Sequence, residues 1–271
     1  MPELPEVETT RRGIEPHINN QTIKKIVIRQ PKLRWPIPIS LAKDLPGHLI
    51  FGVIRRGKYL LLRSNPGTVI IHLGMSGSLR VLKIPTPVGK HDHVDFELSN
   101  GDILRYTDPR RFGCILWEVN DPLQNPLLSK LGPEPLLEEF DSTYLHRLSR
   151  KRKAPIKTFI MDSHVVVGVG NIYANEALFM AGISPKRAAG GISKARYEKL
   201  VLAIKEVLAK AIQVGGTTLK DFTDSNGDPG YFKQSLQVYG RGRLPCNNCK
   251  KGLTEIRIGQ RTTVYCSACQ K

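Results

Sequence analysis

Apolar positions recur along this chain with two periods, and the change from one to the other divides it. Near the start, Leu4, Val7, Ile14 and Ile18 share one face of a helix. Short β-branched and aliphatic runs follow at 23–28, 49–54, 59–62, 69–73 and 114–119. Residues His93 to Leu98 alternate apolar with polar, meet Asn100-Gly101, and resume at Ile103 to Tyr106. That pattern predicts a hairpin closed by a type I′ turn, which needs positive φ at both central residues. Many short strands without interleaved helices predict a β-sandwich. Four prolines between Asn120 and Pro135, then six basic residues among the eleven from Arg147 to Lys157, read as a linker and the entry to a second domain. Beyond them the period lengthens. Tyr197, Leu200, Val201, Ile204, Val207, Leu208 and Ala211 form one stripe of a helix over 196–216, stopped by Gly215-Gly216. The turn-rich segment Asp224 to Gly230 predicts a lid-like loop.

Charge narrows the partners. Lys and Arg number 41 against 24 Asp and Glu, a net +17. Such a surplus favours polyanions, because each neutralised phosphate releases condensed counterions. A membrane surface is the competing polyanion, but no basic amphipathic helix with bulky apolar anchors accompanies the charge. No run of apolar residues is long enough to span a bilayer, and the acidic, proline-broken start is unlike a signal peptide. The expectation is therefore a cytoplasmic, monomeric protein that meets DNA at the nucleoid.

Four of the five cysteines fall in the last 26 residues as Cys246-x2-Cys249, sixteen residues, then Cys266-x2-Cys269. This is the spacing of a four-cysteine structural zinc site, with disulfides as the rival in an oxidising compartment. The segments 254–258 and 262–265 between the pairs predict a hairpin that brings the two knuckles together. With four thiolates the ion has no open position and is structural. Cys114 stands alone and reads as a small buried hydrophobe.

The opening Pro2-Glu3-Leu4-Pro5-Glu6 suits a helix start, since prolines and acids both favour the first turn. It also suits catalysis. With Met1 removed, Pro2 carries a secondary amine, and an α-amino group is roughly one-tenth neutral at pH 7 where a lysine is neutral in under about one part in a thousand. Attack by such an amine on a sugar C1′ gives an iminium that acidifies the C2′ hydrogens for elimination. Glu3, next to the amine, can move the protons.

In order along the chain stand Pro2 to Thr9, Arg56-Gly-Lys-Tyr59, His72-Leu-Gly-Met-Ser-Gly77, Lys90-His-Asp-His93, Thr107-Asp-Pro-Arg-Arg-Phe-Gly113, Gly168-Val-Gly-Asn-Ile-Tyr173, Gln237-Val-Tyr-Gly240 and the four cysteines. With these motifs the whole chain resembles the bacterial formamidopyrimidine-DNA glycosylase family (Fpg, or MutM). The resemblance implies an α+β chain of two domains: an N-terminal β-sandwich with a flanking helix, and a C-terminal helix–two-turns–helix domain with a four-cysteine zinc finger. It divides the sequence into 1–135, a linker and helical part 136–236, and a finger 237–271. DNA is expected in the cleft between the domains.

The implied activity is removal of 8-oxoguanine and formamidopyrimidines from damaged double-stranded DNA, followed by β,δ-elimination. It needs one structural zinc ion and no small-molecule cofactor. By resemblance Pro2 is the Schiff-base nucleophile, Glu3 the general acid and base, Glu6 its support, and Lys58 the ligand of the phosphate beside the lesion. Met75, Arg110 and Phe112 fill the space vacated by the extruded nucleotide. A thioether, a donor fork and an aromatic wedge are chemically suited to that task. Arg261, Lys157, His72, His91, Asn171 and Tyr239 grip phosphates. The same fold also serves endonuclease VIII. Leu4, the Arg110-Arg111-Phe112 pair of arginines with its wedge, and the long segment after Gly216 favour the purine-directed member.

Overall fold

The structure is a computed structural model describing residues 2–83, 86–216 and 236–271, which fall into two compact units. The described part of the first runs to residue 129 and includes 215–216; the second comprises 130–214 and 236–271. Met1 and the predicted lid at 224–230 lie outside the described residues.

In the first unit helix α1 (Leu4–Ile18) precedes β1 (Gln21–Ile28), α2 (Ile39–Asp44), β2 (Leu49–Ile50), β3 (Gly52–Arg56), β4 (Tyr59–Ser64), β5 (Gly67–His72), β6 (Ser78–Leu82), β7 (Asp92–Leu98), β8 (Ile103–Thr107) and β9 (Cys114–Glu118). The strands form two antiparallel sheets, ordered β2-β1-β7-β8-β6 and β3-β4-β5-β9. Ile23, Val94, Phe96 and Leu104 of one sheet and Leu60, Leu62, Val69 and Ile71 of the other share a core, which Val7, Ile14 and Ile18 of α1 join. This is the expected sandwich with its flanking helix. The helix face read from sequence is buried throughout, from Leu4 to Ile18.

Two details differ from the sequence expectation. The apolar run 49–54 is split, with Leu49 and Ile50 pairing with β1 and 52–56 pairing with β4. A strand that changes sheets turns a corner of the sandwich, which a hydrophobic pattern alone cannot show. The β7–β8 hairpin forms, but its turn is not type I′. Only Gly101 has positive φ, at 90°, and its N–H donates to Leu98 O. A type I turn followed by a left-handed glycine meets the same need with one more residue.

The second unit contains α3 (Ser142–Ser149), α4 (Ile156–Met161), α5 (Asn171–Met180), α6 (Lys194–Gln213) and the hairpin β10 (Thr254–Ile258) and β11 (Arg261–Tyr265). The predicted stripe of α6 is buried along its length, and Gly215 and Gly216 follow at φ of 78° and 81°. Helix α5 is buried on all sides from Ile172 to Phe179, so it is the centre of this unit. No helix among the described residues is long and apolar enough to cross a membrane.

Candidate functional site

Pro2 is buried immediately before α1, and Glu3, 3% exposed, is that helix's N-cap. Glu6 is fully buried; its Oε2 accepts the Glu3 N–H at 2.8 Å in a capping box joining the two residues. The helix-start reading and the catalytic reading of this segment are therefore compatible. The capping box fixes the backbone that carries Glu3 beside Pro2.

Helix α1 is clamped to the strands by a cluster of charges. Glu8 receives Arg11, Arg12 and Arg55 at 2.9 to 3.2 Å, while Arg55 Nη1 donates to Gly57 O at 2.9 Å. Burial raises the Glu8 carboxyl, but the three guanidinium groups prevail and hold it below its ordinary value. Gly57, at φ 57°, and Lys58 form the two-residue turn between β3 and β4. A glycine first in such a turn fits type II′. The Glu8–Arg55–Gly57 chain thus ties the helix bearing Pro2 and Glu3 to the turn bearing Lys58.

His72 ends β5. Its Nδ1 accepts the Gly74 N–H at 2.9 Å, which leaves the proton on Nε2. Burial, then the nearby charges of Lys58 and Arg34, depress its pKa to about 4. His72 is therefore a neutral Nε2–H donor near neutral pH, able to grip a phosphate oxygen by a hydrogen bond but not by charge. Beyond it Met75 is half-buried, while Arg110 and Phe112 are exposed, with the Arg110 guanidinium 4.8 Å from the Phe112 ring centre. Phe112 exposes 48% of its surface, a cost that a core aromatic does not carry. His91 lines a basic depression of about 350 Å³ with Arg29, Lys90 and Arg111.

In the second unit Asn171 opens α5 after Gly168, at φ 81°, and its buried Oδ1 has no hydrogen-bond partner among the described residues. Gly259 and Gln260 both have positive φ, so β10 and β11 are joined by a type I′ turn with exposed Arg261 beside it. Arg261 also lines a cavity of about 360 Å³ with Arg152, Lys157 and Thr158. Lys157, expected among the phosphate-gripping residues, is turned inward in the structure. It is 1% exposed, and its Nζ donates to Thr262 O at 2.9 Å and Thr263 Oγ1 at 2.7 Å. At the start of α4 it faces the hairpin, so its ammonium fastens the strand that begins with Arg261. Tyr239 is half-buried, its N–H donating to Glu176 at 2.8 Å.

The sulfurs of Cys246, Cys249, Cys266 and Cys269 all lie within 4.8 Å of one another. Two of the separations are 3.4 Å (Cys249–Cys266) and 4.0 Å (Cys246–Cys269). A tetrahedral ion with metal–sulfur bonds of about 2.3 Å requires about 3.8 Å between sulfurs, so the donor set fits a metal ion. Cys114 is 1% exposed, and burial pushes its thiol up to about 12.

The family model for the formamidopyrimidine-DNA glycosylase N-terminal domain matches residues 1–115, and that for the family's H2TH domain matches 131–223. The formamidopyrimidine-DNA glycosylases of Marinobacter nauticus and Pseudomonas putida are each 59% identical to this chain over all 271 residues, covering both partners completely. This chain belongs to the formamidopyrimidine-DNA glycosylase family. Among solved structures, MutM (Fpg) of Thermus thermophilus matches with a TM-score of 0.89 and 38% identity, covering 99% of this chain and 98% of that one. Lactococcus lactis Fpg in complex with DNA containing N7-benzyl-Fapy-dG matches at 0.92 and 34%, covering both chains fully. The same protein bound to abasic-site DNA matches at 0.91 and 35%, covering 99% of each.

In this glycosylase-family chain, sequence reasoning missed the residues that hold others in place. Glu8 falls inside the Pro2–Thr9 motif, but nothing in the sequence marks its partner Arg55. Glu176 does carry a signal: it is a lone acid in the apolar run from Ile172 to Met180. Its carboxylate accepts the N–H groups of Gln237, Val238 and Tyr239 at 2.8 to 2.9 Å, while neighbouring Asn175 accepts from Val264 N at 3.0 Å. One turn of α5 thereby carries both the lead-in to the finger and its second strand.

Proposed function

We propose that this chain is a bifunctional DNA glycosylase and abasic-site lyase of base excision repair, acting on oxidised purines through a Schiff base on Pro2. The observation that carries the reading is the N-terminal constellation: Pro2 buried at the head of α1, beside a Glu3 whose backbone is pinned by the buried Glu6 carboxylate. It is supported by relatives named formamidopyrimidine-DNA glycosylase and by the likeness to structures holding Fapy-dG and abasic-site DNA.

The steps balance with this chain's own groups. The Pro2 nitrogen attacks C1′ and the glycosidic bond breaks; the base leaves with its electron pair and takes up the proton that the Pro2 nitrogen gives up. Glu3 protonates O4′ as the sugar ring opens, leaving a cationic iminium between Pro2 and C1′. Loss of a C2′ proton expels the 3′ phosphate, and a second elimination expels the 5′ phosphate. Water then frees Pro2. Lys58 holds the phosphate beside the lesion, and Met75, Arg110 and Phe112 occupy the stack while the nucleotide is extruded. Zinc is the ion that best suits four thiolates, with a purely structural task.

The test is a panel of duplexes carrying 8-oxoguanine opposite cytosine, a formamidopyrimidine, or thymine glycol. The proposal expects release of the purine lesions and a one-nucleotide gap with phosphate on both ends. Preference for thymine glycol overturns the purine assignment, and base release without strand cleavage overturns the lyase.

A further inference from the structure

Asp108 is fully buried, follows β8, and has no role in the chemistry above. Its carboxylate is a junction between two loops. Oδ1 accepts Ser76 Oγ–H at 3.0 Å and the Arg110 N–H at 3.3 Å; Oδ2 accepts the Gly113 N–H at 2.9 Å and the Tyr106 hydroxyl at 3.3 Å. Ser76 Oγ in turn accepts the Arg110 N–H at 3.3 Å, so serine and aspartate grip the same amide. The main chain of Asp108 is engaged as well, donating to His91 O at 3.0 Å and accepting His93 Nε2 at 2.8 Å.

The first of these loops presents Met75 and the second presents Arg110 and Phe112. Glycines let the two backbones meet. A Cβ on Gly74, at φ 65°, would lie 2.4 Å from Gly113 N, and one on Gly113 would lie 1.9 Å from the Tyr106 hydroxyl. Arg111, between the two presented residues, is itself held at φ 54°. A backbone approach that leaves no room for a Cβ, with Arg111 at a left-handed φ between the wedges, persists where the surroundings over-determine the loop. The buried carboxylate supplies that constraint.

We propose that Asp108 is a positioning residue that locks the Met75 loop and the Arg110–Phe112 loop into one rigid wedge, so that the three side chains enter the duplex as a unit. This rests on the void-filling role assigned to those three under Proposed function. A carboxylate is needed because a backbone N–H sits on each oxygen: Arg110 on Oδ1, Gly113 on Oδ2. The hydroxyls of Ser76 and Tyr106 can rotate, but those two amides cannot. An asparagine in either orientation points an NH2 group at one of them.

The experiment compares Asp108→Asn and Ser76→Ala with Met75→Ala and Phe112→Ala on two substrates. One is a duplex with 8-oxoguanine opposite cytosine, where the stack must be invaded. The other is a single-stranded oligonucleotide with a preformed abasic site, where there is no stack to invade and no orphaned base to hold. The readouts are single-turnover base release on the first, borohydride trapping on the second, and the fluorescence of 2-aminopurine beside the lesion as the stack opens.

Asp108→Asn is expected to lower the ratio of duplex rate to single-strand rate roughly tenfold or more, with a weaker fluorescence rise. Ser76→Ala should move both in the same direction, and the double variant should lose less than the product of the two losses, because the residues act through one bond. Equal loss on both substrates, or none on either, overturns the proposal. If Met75→Ala and Phe112→Ala lower the ratio and neither Asp108→Asn nor Ser76→Ala does, the proposal falls alone. If those two wedge variants leave ratio and fluorescence unchanged, the void-filling reading fails and takes the proposal with it. Should Asp108→Asn melt below the assay temperature, Ser76→Ala carries the test.

Discussion

Replacing Glu176 by Gln changes one atom and should unfasten the finger from the helix that carries it. Oε1 of Glu176 accepts Val238 N at 2.9 Å and Tyr239 N at 2.8 Å, and Oε2 accepts Gln237 N at 2.8 Å. A glutamine has a single acceptor oxygen. Its best orientation keeps two of the three bonds and turns its NH2 toward the third N–H. Glu176 is 4% exposed and the Gln237 bond is partly buried, so water replaces the lost acceptor poorly. Leaving one buried donor unpaired costs about 1–3 kcal/mol. The loss should appear locally first, as faster hydrogen exchange at the amides of 237–239 in the zinc-loaded protein, and then as a lower denaturant midpoint. DNA affinity should fall with it, since Tyr239 and the Arg261 hairpin are both carried by α5. Unchanged exchange at 237–239, with stability within about 0.5 kcal/mol of the parent, would refute this account of how the finger is held.

Other consequences follow from the same geometry. Chelating the metal should abolish DNA binding while the melting transition of the first unit persists, because the finger's small core is built around Cys246 and Cys266; full binding by metal-free protein contradicts this. His72 should remain unprotonated in an NMR titration down to about pH 4. An unfolded chain binds that proton near 6.5, so His72 makes stability fall as pH drops from 6.5 to about 4, and His72→Gln should flatten that limb of the stability profile. An imidazole titrating near 6.5 in the folded protein would overturn the neutral-donor assignment. Arg261→Ala should weaken binding to all DNA sequences alike and reduce the slope of log affinity against log salt by about one, whereas an unaltered slope would exclude a phosphate contact.

How much of this was legible beforehand depended on whether a residue's surroundings are local. The faces of α1 and α6, the β7–β8 hairpin and the cysteine knuckles follow from spacing, because each buries or binds along a short stretch. Helix α5 escaped, since burial on every side leaves no stripe to detect. The short β6 and the split of 49–54 between sheets depend on strand partners far away in sequence. The motif residues Pro2, Glu3, Met75 and Phe112 could be singled out by chemistry or resemblance. Glu6 was named with them by resemblance, but the supporting roles of Glu8, Asp108 and Glu176 could not be read, because Arg55, Ser76 and the amides of 237–239 are brought near them only by folding. Lys157 gave no sign of its surroundings either: a lysine in a basic run looks like a surface charge, and the fold turns it inward to Thr262 and Thr263.

The central claim is that the N-terminal amine does the chemistry, and borohydride trapping tests it most directly. The protein is incubated with a duplex carrying 8-oxoguanine opposite cytosine in the presence of borohydride, and the cross-linked peptide is mapped by mass spectrometry. The account predicts a single covalent adduct on Pro2, with Met1 absent from the peptide, and its loss in a Pro2→Gly variant or when Met1 is retained. An adduct on Lys58 or another lysine, or efficient strand cleavage by protein that keeps Met1, would contradict it.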